Sequence, residues 1–252
     1  MNTILQAEGL TKYFGRMAAV DGVTLSVREG QLTAIIGPNG AGKTTFINLM
    51  SGFLTPDRGR IVFRDQDVTK LPPAARVHLG LTRSFQIMTL FPDLTAEENV
   101  LLPILARRGA VGRAFTPYKA DREAREEAGE VLQRIGLWSY RDTPARLLSH
   151  GDQRLLELGI AVATRPVLCF LDEPTSGMNP QERRAVLDLV QELSASRTTT
   201  FVIVEHDMDV VFSLADYIYV LHRGQLLAGD TPEAIRQNPR VREVYLGEEV
   251  SG

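Results

Sequence analysis

The sequence predicts an α/β protein with a parallel core, an N-terminal antiparallel β region and an inserted α-helical subdomain, and three observations carry that prediction. Leu32-Thr33-Ala34-Ile35-Ile36 is a nearly continuous apolar run, the pattern of a strand covered on both faces, and a Gly-rich turn and a helical stretch from Thr44 to Met50 follow it at once. Strand-like segments at Val167 to Leu171 and Thr199 to Val204 flank a helical pattern from Gln181 to Leu193, the alternation of a doubly wound sheet. Between these halves, residues 88–150 change character. Thr95-Ala96-Glu97-Glu98 has capping-box spacing, and Lys119 to Ile135 alternates charged with apolar residues at helical intervals.

The remaining elements follow in order. Ile4 to Leu10, Val23 to Val27 and Arg60 to Arg64 read as short strands, and Pro72-Pro73 punctuates the chain before a brief helix. The tail reads as a strand at Tyr217 to Leu221, a turn at His222-Arg223-Gly224-Gln225, a further strand at Leu226-Leu227 and two short helical pieces. No internal repeat, heptad run or low-complexity segment interrupts the pattern. The expected organisation is one domain, with core segments at residues 1–87 and 151–252 and the helical subdomain at 88–150.

Composition narrows the function classes. The 252 residues are 44% hydrophobic and 23% charged with 21 Gly and 13 Pro, which excludes collagen-like and wholly disordered chains. A net charge of −3 provides no bulk attraction to nucleic acid or to an anionic bilayer, so no nucleic-acid partner is expected. The single cysteine, Cys169, excludes an internal disulfide framework and a Cys-based zinc site, and its apolar neighbours predict an inert buried thiol. The start of the chain lacks a secretory pattern and no apolar run is long enough to span a bilayer, so a cytoplasmic protein is expected. His78 and His222 read as surface or turn residues.

Gly37-Pro38-Asn39-Gly40-Ala41-Gly42-Lys43-Thr44 fits G-x-x-x-x-G-K-[ST], and it lies where that mechanism needs it, after a buried strand and at the opening of a helix. Its glycines let backbone N–H groups turn toward an anion, and the helix start adds a partial positive charge. Lys43 is expected to pair with the β- and γ-phosphates and the Thr44 hydroxyl to ligate Mg²⁺. Such a loop leaves GTPases, small-molecule kinases and motor ATPases open, although no guanine-reading Asn-Lys-x-Asp tetrapeptide occurs. Downstream, the second apolar strand ends in Leu171-Asp172-Glu173-Pro174. Neighbouring strand residues point to opposite faces, so one carboxylate is expected to serve Mg²⁺ and the other the attacking water.

In order and spacing these motifs resemble the nucleotide-binding subunits of ATP-binding cassette (ABC) transporters, whose fold is a P-loop NTPase core, and the resemblance spans nearly the whole chain. It implies that Gly37 to Thr44, together with Thr45, is the Walker A loop that binds ATP, and that Val167 to Glu173 is Walker B, with Asp172 for the metal and Glu173 as catalytic base. It implies that Gln86, in Thr82-Arg83-Ser84-Phe85-Gln86, is the Q-loop glutamine that touches the metal. His206, in Val204-Glu205-His206-Asp207, matches the histidine that contacts the γ-phosphate, and Phe14 matches the aromatic that stacks on adenine, with Tyr13 as the other choice.

Leu148-Ser149-His150-Gly151-Asp152-Gln153 resembles the family's Leu-Ser-Gly-Gly-Gln signature, with His150 in place of a glycine and Asp152 inserted before the glutamine. The resemblance implies that Ser149, Gly151 and Asp152 contact ATP held by a second subunit, hence a homo- or heterodimer that sandwiches two nucleotides. Ser149 with Asp152 also reads as an ordinary helix start. Ser176-Gly177-Met178-Asn179 has Asn where the family's D-loop commonly has Asp. Leu90 to Thr95, Ser176 to Pro180 and the tail from Asn238 to Gly247 look most like the ATPases of branched-chain amino acid importers, although lipopolysaccharide-export and urea-uptake ATPases are similar. The resemblance therefore implies an ATPase at the cytoplasmic face of the plasma membrane, with permease subunits as partners and, indirectly, a solute-binding protein. Met88, Leu90, Phe91 and Leu94 are the candidate apolar contacts to the permease. Soluble ABC ATPases that act on DNA or ribosomes generally carry tandem cassettes or coiled coils, and neither pattern occurs.

Overall fold

A computed structural model describes residues 2–84, 90–109 and 121–249. Its contacts form two compact units, one of Met1–Leu81, Val167–Glu173 and Gln191–Gly252, the other of Thr82–Pro166 and Pro174–Val190. In chain order the first unit opens with β1 (Thr3–Phe14), β2 (Met17–Arg28), β3 (Thr33–Ile36), α1 (Lys43–Ser51), β4 (Arg58–Phe63), β5 (Gln66–Asp67) and α2 (Pro73–His78). Strand β6 (Leu81–Ser84) leads into the second unit, which holds α3 (Ala96–Arg107), α4 (Arg122–Arg134) and α5 (His150–Ala163). The chain then passes through β7 (Leu168–Asp172) and α6 (Pro180–Ala195) and closes with β8 (Thr200–Val204), α7 (Met208–Leu214), β9 (Tyr217–His222), β10 (Gln225–Asp230), α8 (Pro232–Gln237) and α9 (Pro239–Glu249).

Two sheets build the first unit. One is antiparallel, in the order β2-β1-β4-β5. In the other, β3 pairs in parallel with both β8 and β9, β7 pairs in parallel with β8, and β10 folds back antiparallel on β9. Every residue of β3, β7 and β8 is buried, which is why these strands read as continuous apolar runs rather than alternating ones. Phe46, Ile47, Leu49 and Met50 of α1 are fully enclosed in the same core, each contributing about 1.5–3 kcal/mol of transfer free energy.

Arg76 in α2 is 1% exposed and ends at carbonyls. Its guanidinium donates to the O atoms of Leu49 at 2.8 Å and Met50 at 2.6 Å, the last turn of α1, and to those of Leu71 at 3.0 Å and Thr69 at 3.1 Å. A cation there adds donors to carbonyls at the helix end, where that of Leu49 also accepts from the Gly52 N–H at 3.2 Å, and complements the helix dipole. Burial lowers its pKa to about 10, which still leaves it charged at neutral pH. Arg76→Met is expected to strand these acceptors and to lower stability by about 3 kcal/mol, read from the midpoint of urea unfolding at unchanged slope.

In the second unit the capping box forms as its spacing predicts: the Glu98 N–H donates to Thr95 Oγ1 at 3.2 Å and the Thr95 N–H to Glu98 Oε2 at 3.0 Å. Helix α4 is described from Arg122, behind an Asp121 cap that accepts from the Ala124 N–H at 2.9 Å, and Lys119 lies outside the described residues. Glu127 of α4, 8% exposed, accepts from Arg107 and from Arg108 at the end of α3, and Arg165 lies 2.9 Å away. Helix α5 packs against both α3 and α4, so this unit extends past the expected boundary at residue 150 as far as Pro166. The short elements β6 and α7 were not predicted from the sequence pattern.

Candidate functional site

The parallel register gathers the predicted residues. Asp172 lies beside Val204, and Val204 beside Ile35, so the carboxyl ends of β7, β8 and β3 form one row at a sheet edge. From that row the chain leaves as Glu173, as Glu205-His206 and as the Gly37 loop. With neighbouring strands about 4.8 Å apart, the two outer exits stand roughly 10 Å from each other.

Backbone on three sides shapes the loop. A Cβ at Gly37 would stand 2.2 Å from the Leu221 carbonyl oxygen, and one at Gly42 would stand 2.3 Å from that of Ala19, so neither position accepts a side chain. Gly40 has open space around it but a φ of 76°, so there the conformation requires glycine. The turn between β9 and β10 closes the remaining side, where the Gly224 N–H donates to the Ala41 carbonyl at 3.0 Å. Ala41 is buried and its own N–H donates to the Pro38 carbonyl at 3.1 Å, while Asn39 lies exposed at the tip. Lys43 is 8% exposed, and its ammonium donates to the carbonyls of Gly37 and, at 3.0 Å, of Pro38, which holds the charge over the loop. Thr44 is exposed in the first turn of α1 and Thr45 is half-buried beside it.

Asp172 ends β7 at 6% exposure. Glu173 departs from strand geometry. Its N–H continues the ladder to the Val204 carbonyl at 2.9 Å, but its φ is 48°, a left-handed conformation that costs a non-glycine residue about 1–2 kcal/mol. The side chain emerges 44% exposed, with Oε1 3.9 Å from Nδ1 of His206. Glu205, fully buried, stands equally far from the same nitrogen, its Oε2 3.9 Å from Nδ1, and accepts from the His206 backbone N–H at 3.3 Å. Sequence reasoning gave Glu205 no role, although an acid ending an apolar run and preceding the histidine was the available signal. Asp207 fixes the other flank, accepting from the N–H groups of Asp209 and Val210 to cap α7.

Phe14 is 49% exposed at the end of β1 and Tyr13 39% exposed. Asp57 orders this turn by accepting from the Tyr13 N–H at 2.7 Å and the Lys12 ammonium at 3.0 Å, contacts that hold its carboxyl below the usual range. In the second unit Ser149 caps α5: the Asp152 N–H donates to its Oγ at 3.1 Å, and its hydroxyl donates to Asp152 Oδ2 at 2.8 Å. Gln86 and Met88 lie outside the described residues. Phe91 is 56% exposed on a loop held by the buried Asn99, whose amide donates to the carbonyls of Phe91, Leu94 and Thr95.

Thr44 and Asp172 supply hard oxygen donors, the set that suits Mg²⁺. Among the described residues no group of three or more His, Cys, Asp or Glu could hold a metal ion. No helix of the described residues is long and apolar enough to cross a membrane.

Comparison with known proteins places this geometry. The family model for ABC transporters matches residues 20–176, and one described as "Branched-chain amino acid ATP-binding cassette transporter" matches residues 225–251. The chain is 40% identical, over 97% of its length and 98% of the relative's, to the high-affinity branched-chain amino acid transport ATP-binding protein LivG of Salmonella typhimurium. It resembles the ADP conformation of MJ1267, an ATP-binding cassette of an ABC transporter, with a TM-score of 0.86, 36% identity and coverage of 98% of this chain and 100% of that one. A dimeric post-hydrolysis state of the cassette MJ0796, bound to ADP and Pi, matches with a TM-score of 0.77 at 25% identity over 91% of this chain and 99% of that one.

Proposed function

Because the chain belongs to the ABC transporter family of ATP-binding cassettes, we propose that it is the ATP-hydrolysing motor of an importer of branched-chain or related amino acids. The observation that carries the chemistry is the row at the carboxyl ends of β3, β7 and β8, from which the phosphate loop, both carboxylates and His206 emerge. The match over residues 225–251 and the likeness to LivG support the solute class.

In this reading Gly37, Asn39, Gly40, Ala41, Gly42 and Thr45 bind the triphosphate through backbone N–H and hydroxyl groups, Pro38, which has no N–H, shapes the loop around it, and Lys43 neutralises its β and γ charge. Thr44 and Asp172, with Gln86, hold Mg²⁺, which when bound supplies charge neutralisation on the phosphates. Glu173 orients the attacking water and accepts its proton. His206 faces the γ-phosphate, with its backbone N–H held by the buried Glu205. Phe14 stacks on adenine. Phe14→Ala is expected to raise KM for ATP about tenfold, a loss of roughly 1–3 kcal/mol of stacking, with kcat nearly unchanged in a steady-state ATPase assay.

The chain is read as one ABC ATPase domain whose helical part, expected at 88–150, runs on through α5 and so carries the whole signature. Ser149, Gly151 and Asp152 serve nucleotide held by the second subunit of a dimer. The assembly lies on the cytoplasmic face of the plasma membrane, where Phe91 and its loop meet the permease and a solute-binding protein delivers cargo outside. Purification of the tagged chain from its native cells in mild detergent tests this. Two permeases, a second ATPase and binding of leucine-like solutes by the associated receptor are expected, whereas lipid-export subunits or soluble partners alone would overturn the solute assignment.

A further inference from the structure

We propose that Glu182 is a positioning residue that locks the start of α5 to the turn at 176–179, so that the signature and that turn meet a bound nucleotide as one piece; this rests on the reading of Ser149 and Gly151 given above. Glu182 is the third residue of α6, and two sets of contacts meet on its side chain. Asn179 Oδ1 accepts from the N–H groups of Gln181 and Glu182, both at 3.0 Å, and Glu182 Oε2 accepts in return from the Asn179 N–H at 3.1 Å. That is a reciprocal box with Asn as its cap. The rest of the same side chain lies over the signature: a Cβ added at Gly151 would stand 2.6 Å from Glu182 Cγ, 2.8 Å from Cδ and 3.0 Å from Oε1. Gly151 has an ordinary helical backbone, so a side chain there would meet no conformational penalty but would have to displace Glu182. His150 lies near the same turn, since a Cβ added at Gly177 would stand 3.7 Å from His150 Cε1.

The two departures from the family signature and D-loop, His150 and Asn179, thus both lie in one joint. Asn179 caps its own helix while Glu182 bridges from that cap to Gly151. Ordering both segments before the second subunit arrives removes an entropic cost from dimer closure.

The test uses the full chain carrying Glu173→Gln, with Mg-ATP as the probe. Adding Glu182→Ala is expected to raise the ATP concentration for half-maximal dimerisation, followed by light scattering, about tenfold. Glu182→Gln, which keeps the carbon chain and an acceptor for Asn179, is expected to stay within about twofold. ADP affinity of the monomer stays the same in all variants, which separates this effect from a damaged phosphate loop. Gly151→Ala and Glu182→Ala are expected to combine less than additively. Hydrogen exchange decides independently of dimerisation: Glu182→Ala is expected to speed exchange at both 149–152 and 176–179, and Glu182→Gln at neither. Unchanged exchange at either segment, or dimerisation by Glu182→Ala at the parent's ATP concentration, overturns the proposal. A Glu173→Gln parent that stays monomeric in saturating Mg-ATP instead rules out a dimer of identical chains and assigns the other half to a different ATPase, and exchange then still decides the role of Glu182.

Discussion

Glu173→Gln is expected to lower ATP turnover by about 10²–10⁴ while leaving ATP binding intact, because the amide keeps the shape of the side chain and loses only its ability to accept a proton. The backbone N–H to the Val204 carbonyl and the left-handed φ are both available to Gln, so the fold is unaffected. With hydrolysis blocked, the bound state persists, and Mg-ATP is expected to convert the protein to a dimer whose scattering mass doubles. Single-turnover hydrolysis measures the first effect and light scattering the second. Turnover within about tenfold of the parent would remove Glu173 from the role of base and leave His206, 3.9 Å away, to be examined in its place.

Lys43→Ala is the complementary loss. The ammonium is held over the phosphate loop by the carbonyls of Gly37 and Pro38, so its removal deletes the principal positive charge directed at the β- and γ-phosphates. ATP affinity and turnover are both expected to fall, with kcat/KM lower by about 10³, of the order seen when one preorganised charge donor is removed. Alanine is the best helix former at the first position of α1, so melting is expected to shift by no more than a few degrees. Calorimetric titration of ATP separates the two variants, since Glu173→Gln keeps its affinity and Lys43→Ala binds more weakly. Undiminished ATP binding by Lys43→Ala would remove the lysine from the phosphate contact.

Much of the site was legible because its chemistry is local. A loop that wraps phosphate needs its glycines, lysine and hydroxyl within a single turn of chain, and Gly37 to Thr44 carries that whole requirement in eight consecutive residues. Asp172-Glu173 was equally visible as two acids closing an apolar run. The register that sets Asp172 beside Val204 and Val204 beside Ile35 was not, because parallel pairing joins residues far apart in the chain and leaves no local pattern. The long hairpin of β1 and β2 read only as fragments at Ile4 to Leu10 and Val23 to Val27. Register shifts after Thr3, Ala7, Leu10 and Lys12 break the period of two on which strand reading depends. Strand β6 escaped notice for another reason: Thr82, Arg83 and Ser84 are polar residues in a wholly buried strand. Gly151 was legible as part of the signature, but its packing against Glu182 was not, since the two are thirty-one positions apart.

Cys169, the protein's single thiol, lies in the middle of β7 with no exposed surface, and burial pushes its pKa up to about 12. Maleimides and disulfide reagents attack the thiolate, so in the folded state at neutral pH this sulfur is chemically silent. The native chain therefore already behaves as a cysteine-free background for site-directed labelling. A cysteine introduced at an exposed position such as His150 or Asn39 becomes the one reactive handle, ready for a fluorophore, a spin label or a cross-link between two copies.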